Sequence, residues 1–276
     1  MENLIRGFKE KPTFRYTTLL VGLLVLIVIL APVISPYNPL EAVMKDANQA
    51  PSAAHLFGTD KLGRDVLSRI LYGGTYSLTS VLALVAIIFC VGTTMGVLAG
   101  YYGGMVDTVI MRVADMMISF PGVILAIAIA GVMGGSLVNA MIALTVVTWT
   151  KYARLARSVV LKIKKRDFVD AAIVSGGTST HILIAHILPN IIPVLIVTAV
   201  SDIGAMMMEL AGLSFLGFGS QPPAPEWGLM LNEGRQQLQT APWLMFFPGL
   251  AIFLTVVVFN LWGDALRDVL DPRDED

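Results

Sequence analysis

Two acids, Asp202 and Glu209, stand seven residues apart in an otherwise apolar stretch, with Met206, Met207 and Met208 between them. Seven residues make close to two helical turns, so in a helix both carboxylates share one face. Acids inside a membrane are costly and mark a polar pathway, here one for a cationic or zwitterionic solute with Met206 beside it. The rival reading puts Glu209 at the outer interface and pairs Asp202 with a partner subunit. Arg112 and Asp115, three apart, read as an internal structural pair. Thioethers suit soft metals but also fill cores, and the 14 methionines read as core. His181 and His186 are five apart and His55 stands alone. None has a metal-ligand spacing to carboxylates or cysteines, so no metal site is expected. The single cysteine, Cys90, reads as a small core residue, with no disulfide framework around it.

No residue set supports catalysis, and no catalytic residue is assigned. Gly212-Leu213-Ser214 with a histidine would suggest a serine hydrolase, but His181 and His186 fall toward the opposite membrane face. The chain has no G-x-x-x-x-G-K-[ST] run, indeed no Gly-Lys dipeptide, and so no phosphate cradle. No cofactor is expected on this chain.

A different kind of chemistry is legible in KIKKRDFVDAAIVSGGTSTHILIAHILPNIIP (162–193), a basic loop holding a short helix. Asp167 can cap that helix, and Gly176–Gly177 supplies a left-handed stop after Ser175. Thr178, Ser179 or Thr180 can cap the next helix. Phe168, Ala171, Ala172 and Ser175 fall on one face, an aromatic knob beside small residues that suits a groove on another protein. The alternative is a plain interfacial helix resting on lipid headgroups. Pro189 and Pro193 interrupt the ladder at the start of the following span.

The elements that position these residues are membrane helices. The 276 residues are 55% hydrophobic and 14% charged, with a mean hydropathy of +0.74. A soluble chain carries about a quarter charged residues. This is an all-α integral membrane protein, with nothing resembling a nucleic-acid surface. About six spans are predicted, near 17–35, 76–99, 107–133, 137–160, 182–208 and 245–263. The first ends in Pro32 and Pro36 without a small-x-small cleavage site and reads as a retained span. Thirteen basic residues fall on one side, including Arg6, Lys9, Lys11, Arg15, the seven from Lys151 to Arg166, Arg267 and Arg273, and five on the other. Arg112 completes the nineteen. Both termini and the 151–181 loop are therefore expected in the cytoplasm.

Two external segments are expected. In HLFGTDKLGRDVLSRILYGG, Leu62, Val66, Leu67, Ile70 and Leu71 form one face of a short amphipathic helix on the membrane surface. Thr59 or Asp60 would cap it, and Asp65–Arg69 would pair. The segment 209–244, with Pro222, Pro223, Pro225, Trp227 and Trp243, reads as an ordered cap. Gly92, Gly96 and Gly100, and again Gly131 and Gly135, recur at four-residue spacing, which lets helix backbones approach closely. The chain divides into 1–75, an N-terminal span with the external segment, and 76–276, a transmembrane domain with a loop at 162–190.

The stretch DAAIVSGGTSTHILIAHILPN resembles the signature loop of ATP-binding-cassette (ABC) importer membrane subunits, with Asp170, Ala171, Ala172, Gly176, Leu188 and Pro189 at its marked positions. The family usually has Glu where Asp170 stands. FGTDKLGRDVLSRILYGG (57–74), GYYGGMVDTVIMRVADMMISFPG (100–122), WTKYARLARS (149–158), LAGLSFLGFGSQPPAPEWGLML (210–231) and FNLWGDALRDVLDPR (259–273) are similar to the second permease of peptide/nickel importers. The resemblance implies a heterodimer with a homologous permease, two cytoplasmic ATP-binding subunits that hold ATP and Mg, and an external or periplasmic solute-binding protein. It implies that Phe168, Asp170, Ala171, Ala172, Gly176, Gly177, His186, Leu188 and Pro189 couple to an ATP-binding subunit, in a bacterial-type plasma or inner membrane. The implied cargo is small peptides or nickel, as the ion or a chelate. The alternative from another class is a proton-coupled secondary transporter using Asp202 and Glu209 as its relay.

Overall fold

A computed structural model describes residues 2–270. Arg273 of the basic tally, and the end of the 259–273 stretch, lie outside the described residues. A nine-residue helix, α1 (Glu2–Glu10), leads through Lys11 into α2 (Pro12–Ile34). Pro12 sits at the first helical positions, where a missing N–H loses nothing. Then follow α3 (Val66–Tyr102), α4 (Gly104–Ile118), α5 (Gly122–Met133), α6 (Leu137–Ile163) and α7 (Asp167–Val174). The last part holds α8 (Ser179–His181), a π-helical turn (Ile182–Ile187), α9 (Leu188–Phe215), α10 (Trp227–Gly234) and α11 (Trp243–Leu270). No strand occurs among the described residues.

Four of these helices are long and apolar enough to cross a membrane: Pro12–Ile34, Val66–Tyr102, Ser179–Phe215 and Trp243–Leu270. The expected span at 107–133 is instead a pair, α4 and α5, bent by 92°. The break falls at Ser119–Pro121, where Pro121 has no N–H to continue the α4 ladder. The span expected at 137–160 is α6, whose 27 residues reach about 40 Å. It carries Lys151, Arg154, Arg157 and Lys162 and is not among the apolar set.

The separate surface helix expected after the first span does not exist. Residues from Val66 on belong to α3, which runs through residue 75 to Tyr102 without a break. Asp65 is its cap, accepting from the Ser68 amide at 2.8 Å. Nor does Asp65 pair with Arg69: its other oxygen faces His55 Nδ1 at 3.0 Å, while Arg69 turns to Asp60 and Glu233. Cys90 is exposed on α3 rather than in the core.

The core lies where α3, α6, α9 and α11 meet, around Leu84, Ile88, Leu144, Met207 and Phe259. Its tightest seam is α3 on α6. A Cβ on Gly92 would stand 2.5 Å from the Trp149 carbonyl oxygen, and one on Gly96 would stand 2.3 Å from that of Ala153. A Cβ on Gly100 would meet Val160 Cβ at 2.9 Å. The expected glycine contact is thus within the chain. Gly131 and Gly135 do not repeat it: Gly135 lies in the α5–α6 turn, under the Gln221 side chain and the Gly217 carbonyl.

Gly96→Leu should therefore destabilise the folded chain by at least 1–3 kcal/mol, roughly the cost of overpacking. Thermal unfolding in detergent measures it; an unchanged midpoint would remove the seam from the account.

Candidate functional site

The α7 region is built on one buried side chain. Val169 is fully buried against Val97, Ala156, Val160, Ile182 and Ile187, and Ala172, one turn on, is half-buried beside it. The helix begins at Asp167 itself; Arg166 is the cap residue and makes no side-chain cap bond, so the capping role expected for Asp167 is not observed. Asp167 and Asp170 still suit the first turn, where the helix dipole favours negative charge. The stop is as expected. Gly176 has φ +83°, and the amides of Gly176 and Gly177 donate to Ile173 and Ala172 carbonyls, both at 3.0 Å. That is a complete Schellman turn.

Besides Asp167 and Asp170, α7 leaves apolar side chains uncovered. Phe168, Ala171 and Ile173 are exposed, and Val174 is 88% exposed. Of the predicted face, Phe168, Ala171 and Ser175 point outward, while Ala172 helps seat the helix. Thr178 caps the next helix, accepting from the His181 amide at 3.3 Å. The chain then takes its π-helical turn, closed by the Leu188 amide on the Leu183 carbonyl. Pro189, lacking an N–H, follows at once, and such turns commonly stand where the ordinary ladder fails. The turn brings the His186 ring 5.5 Å from that of His181 and 6.4 Å from that of Phe168. Leu188 packs on the Val169 cluster, and Pro189 is exposed.

The second set lies between α6 and α9. Lys151 Nζ donates to both Asp202 oxygens, at 2.6 and 2.9 Å, and the Tyr152 hydroxyl donates to one at 3.0 Å. Asp202 is thus paired inside its own chain rather than with a partner subunit. Two further bases of α6 face α4. Arg154 bonds Asp115 at 2.6 Å, and Arg157 grips Asp107 with two bonds at 2.5 and 2.6 Å. The expected Arg112–Asp115 pair is not observed, because Arg154 takes that carboxylate. Glu209, two turns beyond Asp202, borders a cavity of about 200 Å³ with Val123, Ile127, Leu144 and Met208. Met206, expected beside the passage, is buried in the core.

Sequence reasoning missed a third cluster at the end of the bundle that carries α10. Arg64 and Arg69 are almost fully buried; Arg64 bonds Asp60 at 2.6 Å, and Arg69 bonds Glu233 at 2.8 Å. Trp227 donates to the Ile70 carbonyl and Trp243 to that of Thr59, so the tryptophans do order the cap, as expected. Glu226 caps α10, accepting from the Gly228 and Leu229 amides at 2.8 and 2.9 Å. Burial pushes its carboxyl up, against those bonds and the Ser214 and Ser77 hydroxyls, which pull it down. A signal was available: two glycines five apart, Gly58 and Gly63, enclose Asp60 and Lys61 and precede Arg64 and Asp65, and both take positive φ, in a tight loop rather than a helix.

Long apolar helices, a broken span and a small helix left exposed at one end define a multi-pass membrane protein. Comparison with known proteins places it. The chain belongs to the family described as binding-protein-dependent transport system inner membrane component, whose model matches residues 92–274. The dipeptide transport system permease protein DppC of Alkalihalophilus pseudofirmus is 44% identical over 90% of this chain and 82% of its own. The nickel transport system permease protein NikC of Escherichia coli K12 is 43% identical over 94% of each chain. The glutathione transport system permease protein GsiD of Pectobacterium atrosepticum is 44% identical over 92% of this chain and 85% of its own. Among solved structures, a chain of the MetNI methionine ABC transporter in an inward-facing conformation covers 71% of this chain and 95% of its own, with TM-score 0.53 and 19% identity. That likeness speaks for the fold. The protein is an ABC importer permease of the family that includes these relatives.

Arg69→Met would leave Asp60 and Glu233 to Arg64 alone and should destabilise the fold by roughly 1.5–3 kcal/mol, the worth of a charged hydrogen bond, read as a lowered thermal midpoint. Glu226 gives a pH dependence whose sign is fixed. A carboxyl raised in the folded state binds its proton more tightly there, so stability falls as pH rises through that range. Between about pH 4 and about pH 8 the midpoint of Glu226→Gln should fall less than that of the wild type. Parallel curves would contradict this.

Proposed function

We propose that this chain is one of two related permeases in an importer for small peptides or nickel, free or chelated, delivered by an external solute-binding protein. Two ATP-binding subunits, holding ATP and Mg, dock on the side where α7 lies. Both termini and α7 are cytoplasmic, and α6 and the bent α4–α5 pair complete six crossings. The observation that carries the reading is α7 itself: a helix seated by Val169 with Ala172 beside it, and with Phe168, Ile173 and Val174 left uncovered. A short apolar helix that is anchored on one side fits a groove on a partner.

In this reading Phe168, Asp170, Ala171, Ala172, Gly176, Gly177, His186, Leu188 and Pro189 form the coupling surface and its frame. Closure of the ATP-binding subunits pushes α7, and the push reaches α9 through Ile182 and Ile187, which pack with Val169. Asp202 and Glu209 lie on the solute passage. Dipeptide, glutathione and nickel permeases among the relatives bracket the cargo. The proton-relay alternative loses its support, since Asp202 is engaged by Lys151 and the family is binding-protein-dependent.

Gly176→Pro cannot adopt φ +83°, and Ala172→Trp cannot keep α7 on its seat. Both variants should insert and assemble with the ATP-binding subunits, yet lose at least about tenfold in solute uptake while ATP hydrolysis continues. Wild-type, solute-stimulated uptake by both would sink the coupling assignment.

A further inference from the structure

Lys151 and Glu209 occupy one seam. Leu144, seven residues before Lys151 on α6, and Glu209, seven beyond Asp202 on α9, both line the cavity of about 200 Å³. Seven helical residues rise about 10 Å, so the cavity and the Lys151–Asp202 pair are consecutive stations along the α6–α9 contact. The remaining walls, from Val123, Ala126, Ile127, Met208 and Leu213, are apolar, which leaves Glu209 as the one charge there. Among the described residues Glu209 has no hydrogen bond or ion pair.

Asp202 differs. Its oxygens take the Lys151 ammonium twice and the Tyr152 hydroxyl once, and its side chain is 12% exposed against 55% for Lys151. The lysine therefore approaches from the open side, on a flexible stem, while the tyrosine holds from within. A primary ammonium on a flexible arm is the same chemical group as the free amino end of a small peptide. A carboxylate this buried resists being left unpaired, so its cation can leave only as another arrives.

We propose that Lys151 is a tethered counter-ion that the travelling solute displaces. A solute with a primary ammonium on an apolar body binds first at Glu209, body in the cavity, and its ammonium then replaces that of Lys151 on Asp202. When the solute leaves, the lysine returns. A bare divalent nickel ion suits this seam poorly: it seeks several nitrogen or oxygen ligands, and no group of three or more His, Cys, Asp and Glu lies together among the described residues. The inference rests on the passage reading of Asp202 and Glu209 given above.

The test uses the assembled complex with its binding protein in ATP-loaded proteoliposomes, offered alanyl-leucine and Ni²⁺ separately. The double variant Lys151→Met/Asp202→Asn has no lone buried charge and keeps the tyrosine contact, so it should insert and assemble with its partner subunits as the wild type does. Its alanyl-leucine turnover should nonetheless fall at least about tenfold. Lys151→Met alone leaves the carboxylate open, so KM and kcat for alanyl-leucine should both fall. A pair that only holds α6 to α9 gives the opposite result: the double variant recovers wild-type uptake, and the proposal is overturned. A wild-type complex that carries Ni²⁺ but not alanyl-leucine overturns the ammonium class and leaves the importer reading intact. Uptake of neither removes that reading as well.

Discussion

The close approach of α3 and α6 governs much else in this molecule. With no side chain at Gly92, Gly96 or Gly100, the two backbones meet where any Cβ would collide with Trp149, Ala153 or Val160. Lipid gives little hydrophobic drive between helices, so such contact must come from fit. Fixing the Tyr152–Ala153–Ala156–Val160 side of α6 against α3 has a geometric consequence at 100° per residue. Lys151 and Arg154 are turned away from α3, and Arg157 stands at the edge of the seam, so that Asp202 of α9 and Asp115 and Asp107 of α4 meet them. The glycines thus set which helices the basic column can reach.

That column explains how so charged a helix can belong to a membrane bundle. Each of the three bases has its own acid on a different helix, so no charge of the column is left for hydrocarbon. The same rule holds at the α10 end, where Arg64 and Arg69 share Asp60 and Glu233. Against this background Glu209 has no direct hydrogen bond or ion pair within the described residues, and the base within its electrostatic reach, Lys151, is engaged by Asp202; it stands beside a cavity with apolar walls. A half-buried acid with no direct base is open to a cation that arrives and leaves.

What the sequence made legible was local. Four of the span positions, the glycine spacing at 92, 96 and 100, and the short helix closed by Gly176–Gly177 follow from periods and caps within a few residues. The errors came where a distant partner decides. Asp65–Arg69 and Arg112–Asp115 have good helical spacing, but Arg69 finds Glu233 across 164 residues, and Asp115 finds Arg154 across 39. The surface-helix reading of 57–74 failed for a related reason. Its leucines and charges fit an amphipathic pattern, but the buried arginines pin the loop to α10, and α3 starts at Val66 and does not stop. Lys151 counted only as one more basic flank, because nothing local shows that a helix on the far side of the loop will present Asp202 to it.

One connection joins the two candidate sites. The Val169 seat of α7 includes Ile182 and Ile187 of the π-helical turn, and that turn runs directly into α9. A π turn followed by Pro189, with Pro193 a turn later, is a weak point in an otherwise regular ladder. A push on α7 therefore acts at the place where α9 is easiest to tilt or rotate. Asp202 lies on α9 and Lys151 on α6, and α6 is locked to α3 by the glycine seam. In the proposed cycle the rigid partner holds the lysine still while the movable one carries the carboxylate past it. Force applied at α7 and exchange of cations at Asp202 are then two ends of the same helix, with α6 as the fixed rail.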